Sequence, residues 1–325
     1  MTTSRLRWGW QVRFALLGWL LVRSALAAEP ATETLPDPEG APVKEQYLRV
    51  VRDEAGAGTS LDTAIVTLVP QEGRMKGVAI DLVAAIHIAE KSYYDELNRR
   101  LGDYDVVLYE LVAPPEDRVP QPGRKTTNHP IGMLQNGMRN MLKLESQIDQ
   151  IDYTPEHFVH ADMSPEEMSR SMESRGESFM SMFMQMFRQG MARAEEGGLK
   201  VNDMDLVRAL LDKNRSHTLK RLLADQFEDL DVVLGAMVGT DGSTIVTERN
   251  KIAVAEAVKQ VEQGEQRIAI LYGAAHMPDM EARLCEELAL ERGGVQWLPA
   301  WDLTDTKGEP VEVAKPKPAP VEVEL

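Results

Sequence analysis

Apolar positions recur with two different periods along this chain, and the changes of period divide it into three parts. Tyr47–Val51, Thr63–Val69 and Val78–Ala84 are short β-branched or apolar runs, separated by glycine-containing polar turns at Ala55–Ser60 and Gln71–Lys76. Such runs predict an antiparallel meander. Ala89–Leu101 then puts Tyr94, Leu97 and Leu101 on one helical face, and Asp105–Leu111 returns as a β run. A strand, helix and strand of this length form a βαβ unit, whose right-handed crossover makes the two strands parallel. Near the C-terminus come helix Lys251–Gln263 with Val254, Val258 and Val261 in register, strand Arg267–Tyr272, helix Pro278–Leu290 and, after Gly293 and Gly294, strand Val295–Trp301. The fold class expected is α/β, with a mixed sheet made from an N-terminal meander plus βαβ and a C-terminal αβαβ. Between these halves, over about 114–237, the apolar residues come at helical spacing, with no strand-like run before Val232–Leu234. A large helical insertion is therefore expected there.

The ends of the chain read differently. Arg5, Arg7 and Arg13 precede the apolar run Phe14–Val22, and Ala25-Leu26-Ala27 offers small residues for cleavage. Residues 1–27 thus read as an export signal, too short in its apolar part for the ~20 residues of a spanning helix. No later segment has the length and apolarity to cross a membrane, so a periplasmic or secreted location is expected, with an uncleaved N-terminal anchor as the lesser alternative. Residues 28–45 are rich in Pro and Glu and read as a disordered linker. The domain itself spans 46–302, and alternating Pro and charge over 303–325 make a flexible tail.

Charge narrows the partners. The chain carries a net charge of −16, and its first 27 residues hold four arginines and no acids, so the rest is more acidic still. That argues against nucleic acid or an anionic surface as partner and leaves a peptide or small molecule. The single cysteine, Cys285, cannot form an intrachain disulfide and sits beside Leu284 on an expected helix, as a small apolar residue would. Within the insertion, Met180, Phe183, Met184, Phe187 and Met191 form a helical stripe. It reads as a helix packed into the core or, as the second choice, an adaptable lid.

The candidate chemistry lies at strand ends. Ligands of open α/β sheets gather outside the carboxyl ends of the parallel strands. His87, Glu110 and His276 each follow an apolar run there, and small residues precede both histidines: Ala84-Ala85-Ile86-His87 and Gly273-Ala274-Ala275-His276. Two imidazoles and a carboxylate converging on one rim would suit a divalent metal with an open coordination position. Thr247-Glu248-Arg249-Asn250 opens the helix before the second histidine strand. Thr247 and Glu248 could serve only as cap and dipole partner. Alternatively Glu248 and Arg249 face the rim, with Glu248 moving a proton and Arg249 orienting a carboxylate or stabilising negative charge on a substrate oxygen. His157 and His160 share a helical spacing but lack the acid of a His-Glu-x-x-His helix, so a structural or substrate-side role is expected. No serine-hydrolase elbow, phosphate-binding glycine loop or Cys-x-x-Cys pair is present.

Taken together, these motifs resemble the TraB/PrgY/GumN/Tiki family, GumN-type bacterial members above all. The family pattern is two Gly-x-x-His motifs separated by a helical middle, a glutamate ending the strand after the first motif and a Glu-Arg-Asn-like stretch before the second. Here Gly273–His276 keeps the second motif, Glu110 and Glu248-Arg249-Asn250 match, and Ile151–Tyr153 and Phe158–Met163 look like middle segments. The first motif departs, with Ala84 in the glycine place. The resemblance covers about 46–302. It implies a core like that of ChaN-like and erythromycin-esterase-like proteins and, as in the Tiki branch, metal-dependent cleavage of peptide bonds. On this basis His87, His276 and Glu110 are the expected ligands of a divalent ion (Mn, Co or Zn), and Glu110, Glu248 and Arg249 the expected catalytic groups. A peptide- or small-ligand-binding protein without turnover and an esterase-type hydrolase are the rival expectations.

Overall fold

The computed structural model describes residues 47–71, 75–120, 137, 139–178, 211–212, 214–224 and 242–304. The segments expected as signal, linker and tail, the methionine stripe and the Val232–Leu234 run lie outside these residues.

The N-terminal strands are β1 (Leu48–Arg52), β2 (Gly58–Pro70) and β3 (Ala79–Ala85), and both successive pairs are antiparallel, as the meander requires. A two-residue strand β4 (Ile88–Ala89) leads into helix α1 (Lys91–Leu101), which is followed by β5 (Val106–Tyr109). Tyr94, Leu97 and Leu101 are buried on α1 as expected, with Tyr93 beside them. The C-terminal half runs α4 (Arg249–Gln263), β8 (Arg267–Gly273), α5 (Met277–Leu288) and β9 (Leu290–Asp302).

The segment expected to be a helical insertion contributes two strands among the described residues. β6 (Glu145–Ser146) pairs with β4, and helix α2 (Gln147–Gln150) follows. β7 (Phe158–His160) is parallel to β5, and helix α3 (Pro165–Ser174) comes after it. Three residues are too few to show an alternating pattern, and Pro155 and Pro165 hide β7 in what resembles a turn. His157 and His160 therefore stand on or beside a strand, not on a helix. His157 Nε2 lies 3.2 Å from the Leu101 carbonyl and His160 Nε2 lies 2.6 Å from that of Leu111, a structural use of both rings.

The main sheet runs β1-β2-β3-β8-β5-β7, with β9 also on β2. Both β1 and β9 pair with residues 60–63 of β2, and both β3 and β9 with residues 65–68, so β9 occupies one edge of β2 while β1 and β3 share the other. From β3 onward every pairing is parallel. The βαβ strands β3 and β5 are thus parallel but not adjacent, because β8 lies between them. β5 is buried throughout and β8 over five consecutive residues, as strands covered on both faces must be. Gly293 and Gly294 do not end an element; they lie within β9, and a Cβ on Gly293 would come 3.0 Å from the Val69 methyls.

The buried stripe of α4 is Asn250, Ala253, Val254, Ala257 and Gln260, whereas Val258 and Val261 lie at its margin. Alanine on this stripe lets the helix approach β5 and β8 closely. On α1, Glu96 accepts hydrogen bonds from Arg99 and Arg100 at 2.7–2.8 Å. The Arg99 bonds in particular, with those of Arg100, hold the Glu96 carboxyl down at about 2 against the desolvation of a partly buried site. A depressed carboxyl pKa adds stability above the unfolded value of about 4.3 and loses it as pH falls toward the folded one. Glu96→Gln is expected to cost about 0.5–1 kcal/mol near neutrality and nothing near pH 2, as urea unfolding across that range will show.

Candidate functional site

Because β3, β8, β5 and β7 are parallel, their carboxyl ends share one rim. His87 follows β3, His276 follows β8, Glu110 follows β5, and Asp162 comes two residues after β7. The three expected ligands are therefore brought to one edge, and β8 delivers the central one. The motif echo is not in register. Ala85, not Ala84, pairs with Gly273, so the departure at Ala84 falls opposite Tyr272. Ala84 is fully buried, with its carbonyl accepting from the Tyr93 hydroxyl at 3.2 Å.

Glu110 is the hub. Its Oε2 accepts from the Gly273 N–H at 2.7 Å and its Oε1 from Arg249 Nη2 at 2.7 Å, and His276 Nε2 stands 3.7 Å from Oε1. Gly273 suits its place, since a Cβ there would meet Glu110 Oε2 at 3.3 Å. Arg249 also grips Asp162 through two bonds, Nε to Oδ1 at 2.8 Å and Nη2 to Oδ2 at 2.6 Å. Side-chain exposure is 0% for Asp162, 9% for Arg249 and 12% for Glu110. Ser243 caps a single π-helical turn, Thr244–Glu248, that delivers Arg249 to this point, with Ser243 Oγ accepting from the Val246 N–H.

Burial alone would raise the Glu110 pKa. His276, Arg249, His87 and the Gly273 N–H outweigh it and hold the carboxyl well below the usual carboxylate range. Burial lowers the pKa of His276 despite the pull of Glu110, so the ring is neutral at neutral pH and Arg249 is the cation that keeps Glu110 ionised. Arg249 is itself penalised by burial, but Asp162 and Glu110 drive its pKa up and it stays charged. Two carboxylates against one guanidinium leave this buried group one negative charge in excess.

Asn250, fully buried, sets the state of His276. Its Nδ2 donates to the His276 carbonyl at 3.0 Å and to Asp279 Oδ2 at 2.8 Å, so its Oδ1 is the acceptor that faces His276 Nδ1 at 2.7 Å. The neutral ring must then carry its proton on Nδ1, which leaves the Nε2 lone pair directed toward Glu110. Arg283 in turn holds Asp279 through two bonds, and the Tyr272 ring meets His276 edge-on with centroids 5.2 Å apart.

His276 Nε2 and Glu110 Oε1, 3.7 Å apart, can share one ion at ordinary ligand distances of about 2.0–2.2 Å, so this pair fits a divalent metal. His87 is exposed, and its charge acts on both Glu110 and His276. Among the described residues, no group of three or more His, Cys, Asp or Glu is arranged to hold a metal ion. Glu248 is engaged elsewhere, with Arg175 at 3.4 Å and Lys251 at 2.9 Å.

Asp162 and Asn250 are the site residues that sequence reasoning did not single out. Asn250 carried a signal, because it falls on the same helical stripe as Ala253 and Ala257. Asp162 carried none beyond its place in the Phe158–Met163 stretch.

Comparison with known proteins adds no relative: no family model, curated protein or solved structure matches this chain. Among the described residues no helix is long and apolar enough to cross a membrane.

Proposed function

We propose that this protein is an exported, metal-dependent hydrolase acting on peptide bonds, the activity that its resemblance to the TraB/GumN group implies. The observation that supports this reading is the pairing, at the carboxyl rim of a parallel sheet, of an ionised, buried Glu110 with the free Nε2 of a neutral His276. An excess negative charge and a lone pair aimed at the same place favour a cation there. In this reading His276, Glu110 and His87 hold a divalent ion, which when bound would lower the pKa of a water molecule and polarise the scissile carbonyl. The other residues act through these. Asn250 fixes the ring of His276, and Arg249 fixes and keeps ionised the carboxylate of Glu110, its donors being committed to Asp162 and Glu110. Glu248, through Arg175 and Lys251, supports the turn that delivers Arg249.

The test is metal content and peptide cleavage of the purified mature chain against His87→Ala and His276→Ala. His276→Ala is expected to lower metal affinity by 100-fold or more, about 2.7 kcal/mol, and His87→Ala by less, since His87 is the exposed member. Equal metal binding in all three proteins would sink the reading.

A second reading, a protein that captures a peptide or small ligand without turning it over, is favoured by one observation: the described residues close no three-donor set. It requires saturable ligand binding that survives His276→Ala.

A further inference from the structure

Arg118 stands apart from the other buried or half-buried arginines of the site region. Its Nε is shielded from solvent and has no hydrogen-bond partner, and among the described residues the guanidinium forms no ion pair within 4.0 Å. By contrast Arg249, Arg283 and Arg292 each grip a carboxylate. A half-buried guanidinium without a counterion is an expense that a folded chain rarely leaves uncompensated, and it is the donor array that best matches a carboxylate.

Its place is the β5–β7 end of the catalytic rim. The Tyr109 hydroxyl, on the residue before Glu110, donates to the Arg118 carbonyl at 2.8 Å. His160, at the end of β7, is bound to the Leu111 carbonyl, and the Arg118 charge helps to lower its pKa behind the larger effect of burial. Glu167 also feels Arg118, but its carboxylate is spent on the capping box of α3, where Oε2 accepts from the Ser164 N–H at 2.8 Å. Two strand steps, about 10 Å, separate β8 from β7 in the sheet order, and an extended peptide covers that distance in about three residues.

We propose that Arg118 is a specificity-determining residue that binds a substrate carboxylate two to three residues away from the group seated at His276 and Glu110. This rests on the hydrolase reading for the meaning of the site, though not for the binding itself. The carboxylate is that of a peptide C-terminus or of an Asp or Glu side chain.

The experiment measures binding of three probes to the mature chain by calorimetry: acetyl-tetraalanine as the free acid, its C-terminal amide, and the amide with one internal glutamate. It is repeated with Arg118→Met and Arg118→Lys. The wild-type chain is expected to bind one or both of the carboxylate-bearing probes at least ten-fold more tightly than the plain amide, and which of them it prefers identifies the source of the carboxylate. Arg118→Met loses the preference and Arg118→Lys keeps part of it. Thermal midpoint and metal content stay nearly unchanged in Arg118→Met, because methionine keeps the packed stem and no side-chain hydrogen bond or ion pair to the described residues is removed, whereas a structural arginine would lower the midpoint. Equal binding of all three probes by the wild-type chain, no binding of any at millimolar concentration, or an undiminished preference in Arg118→Met would overturn the proposal. A preserved carboxylate preference in a chain that neither holds metal nor cleaves peptides would sink the hydrolase reading and leave this one standing.

Discussion

Arg249→Met is expected to cost about 3–5 kcal/mol of folding stability, the loss that follows when one member of a buried ion pair is removed and its partners stay behind. The substitution keeps most of the side-chain volume, so the effect is electrostatic. It leaves Asp162, which has no exposed side-chain surface, and Glu110 without the guanidinium that binds both. Arg249→Lys recovers only part of the loss, because one ammonium cannot reproduce the two-pronged contact with Asp162 and reach Glu110 as well. The pH dependence separates this account from simple packing loss. In the wild-type protein Glu110 has a depressed pKa, so its contribution is present above the unfolded value of about 4.3 and lost as pH falls. Without Arg249 the Glu110 carboxyl is buried next to no fixed cation, its folded pKa rises above the unfolded one, and the variant becomes less stable as pH rises. Guanidinium unfolding between about pH 2 and 8 should therefore show Glu110 adding stability as pH rises toward about 4.3 in the wild-type protein, and the variant losing stability as pH rises above that value. A variant that tracks the wild-type slope with a loss below about 1 kcal/mol would show that the rim opens to water and that no buried charge needs Arg249.

The same ion pair marks the boundary of what the sequence could reveal. Periodicity located β3, β5 and β8, and the rule that ligands collect at carboxyl ends was enough to place His87, Glu110 and His276 on one rim. Those inferences depend on local pattern and on the handedness of a crossover, both of which are written in short stretches of chain. β7 is written in three residues between two prolines, and Asp162 owes its role to a strand pairing across about fifty positions of sequence. Nothing local distinguishes it from an exposed loop aspartate. One of the two readings of Arg249 put it at the rim, but what it does there depends on Asp162. A guanidinium already committed to two carboxylates positions Glu110; the reading in which it meets the substrate presumed that it was free.

The echo between the two histidine stretches is likewise only half structural. Both stretches end parallel strands that are hydrogen-bonded neighbours, yet the register sets Gly273 against Ala85. After Gly273 the chain turns at once through Ala274–His276 into α5, so His276 is buried at a helix start. After Ala85 it continues to His87, exposed, and into β4. Glycine leaves room where a backbone N–H reaches Glu110 at 2.7 Å and a Cβ would press on its Oε2 at 3.3 Å. The two copies differ because they meet different neighbours, which is why His276 is the better-supported ligand.

Trp301→Ala is expected to cost about 3–5 kcal/mol and to disturb the rim from a distance. The side chain is fully buried, and its removal leaves a cavity that β9 and β2 cannot close without giving up their pairing at Leu61 and Trp301. Its indole N–H also donates to the Ile88 carbonyl at 2.8 Å, and the Glu90 N–H donates to the Ala300 carbonyl at 2.9 Å. These bonds clamp β4, which begins at the residue after His87, and the backbone of His87 is further held where its carbonyl accepts from the Gln147 N–H at 2.9 Å. Trp301→Phe keeps most of the packing and loses the clamp, so its stability loss should be smaller, about 1–2 kcal/mol, while hydrogen exchange at Ile88 and Ala89 rises as much as in the alanine variant. Should His87 contribute to ion binding, metal affinity falls in both variants more than it does for a core substitution of equal cost far from β4, such as Leu284→Ala on α5. Unchanged exchange at Ile88 and Ala89 in Trp301→Phe would mean that β4 is held by β6 alone and that the end of β9 has no part in positioning His87.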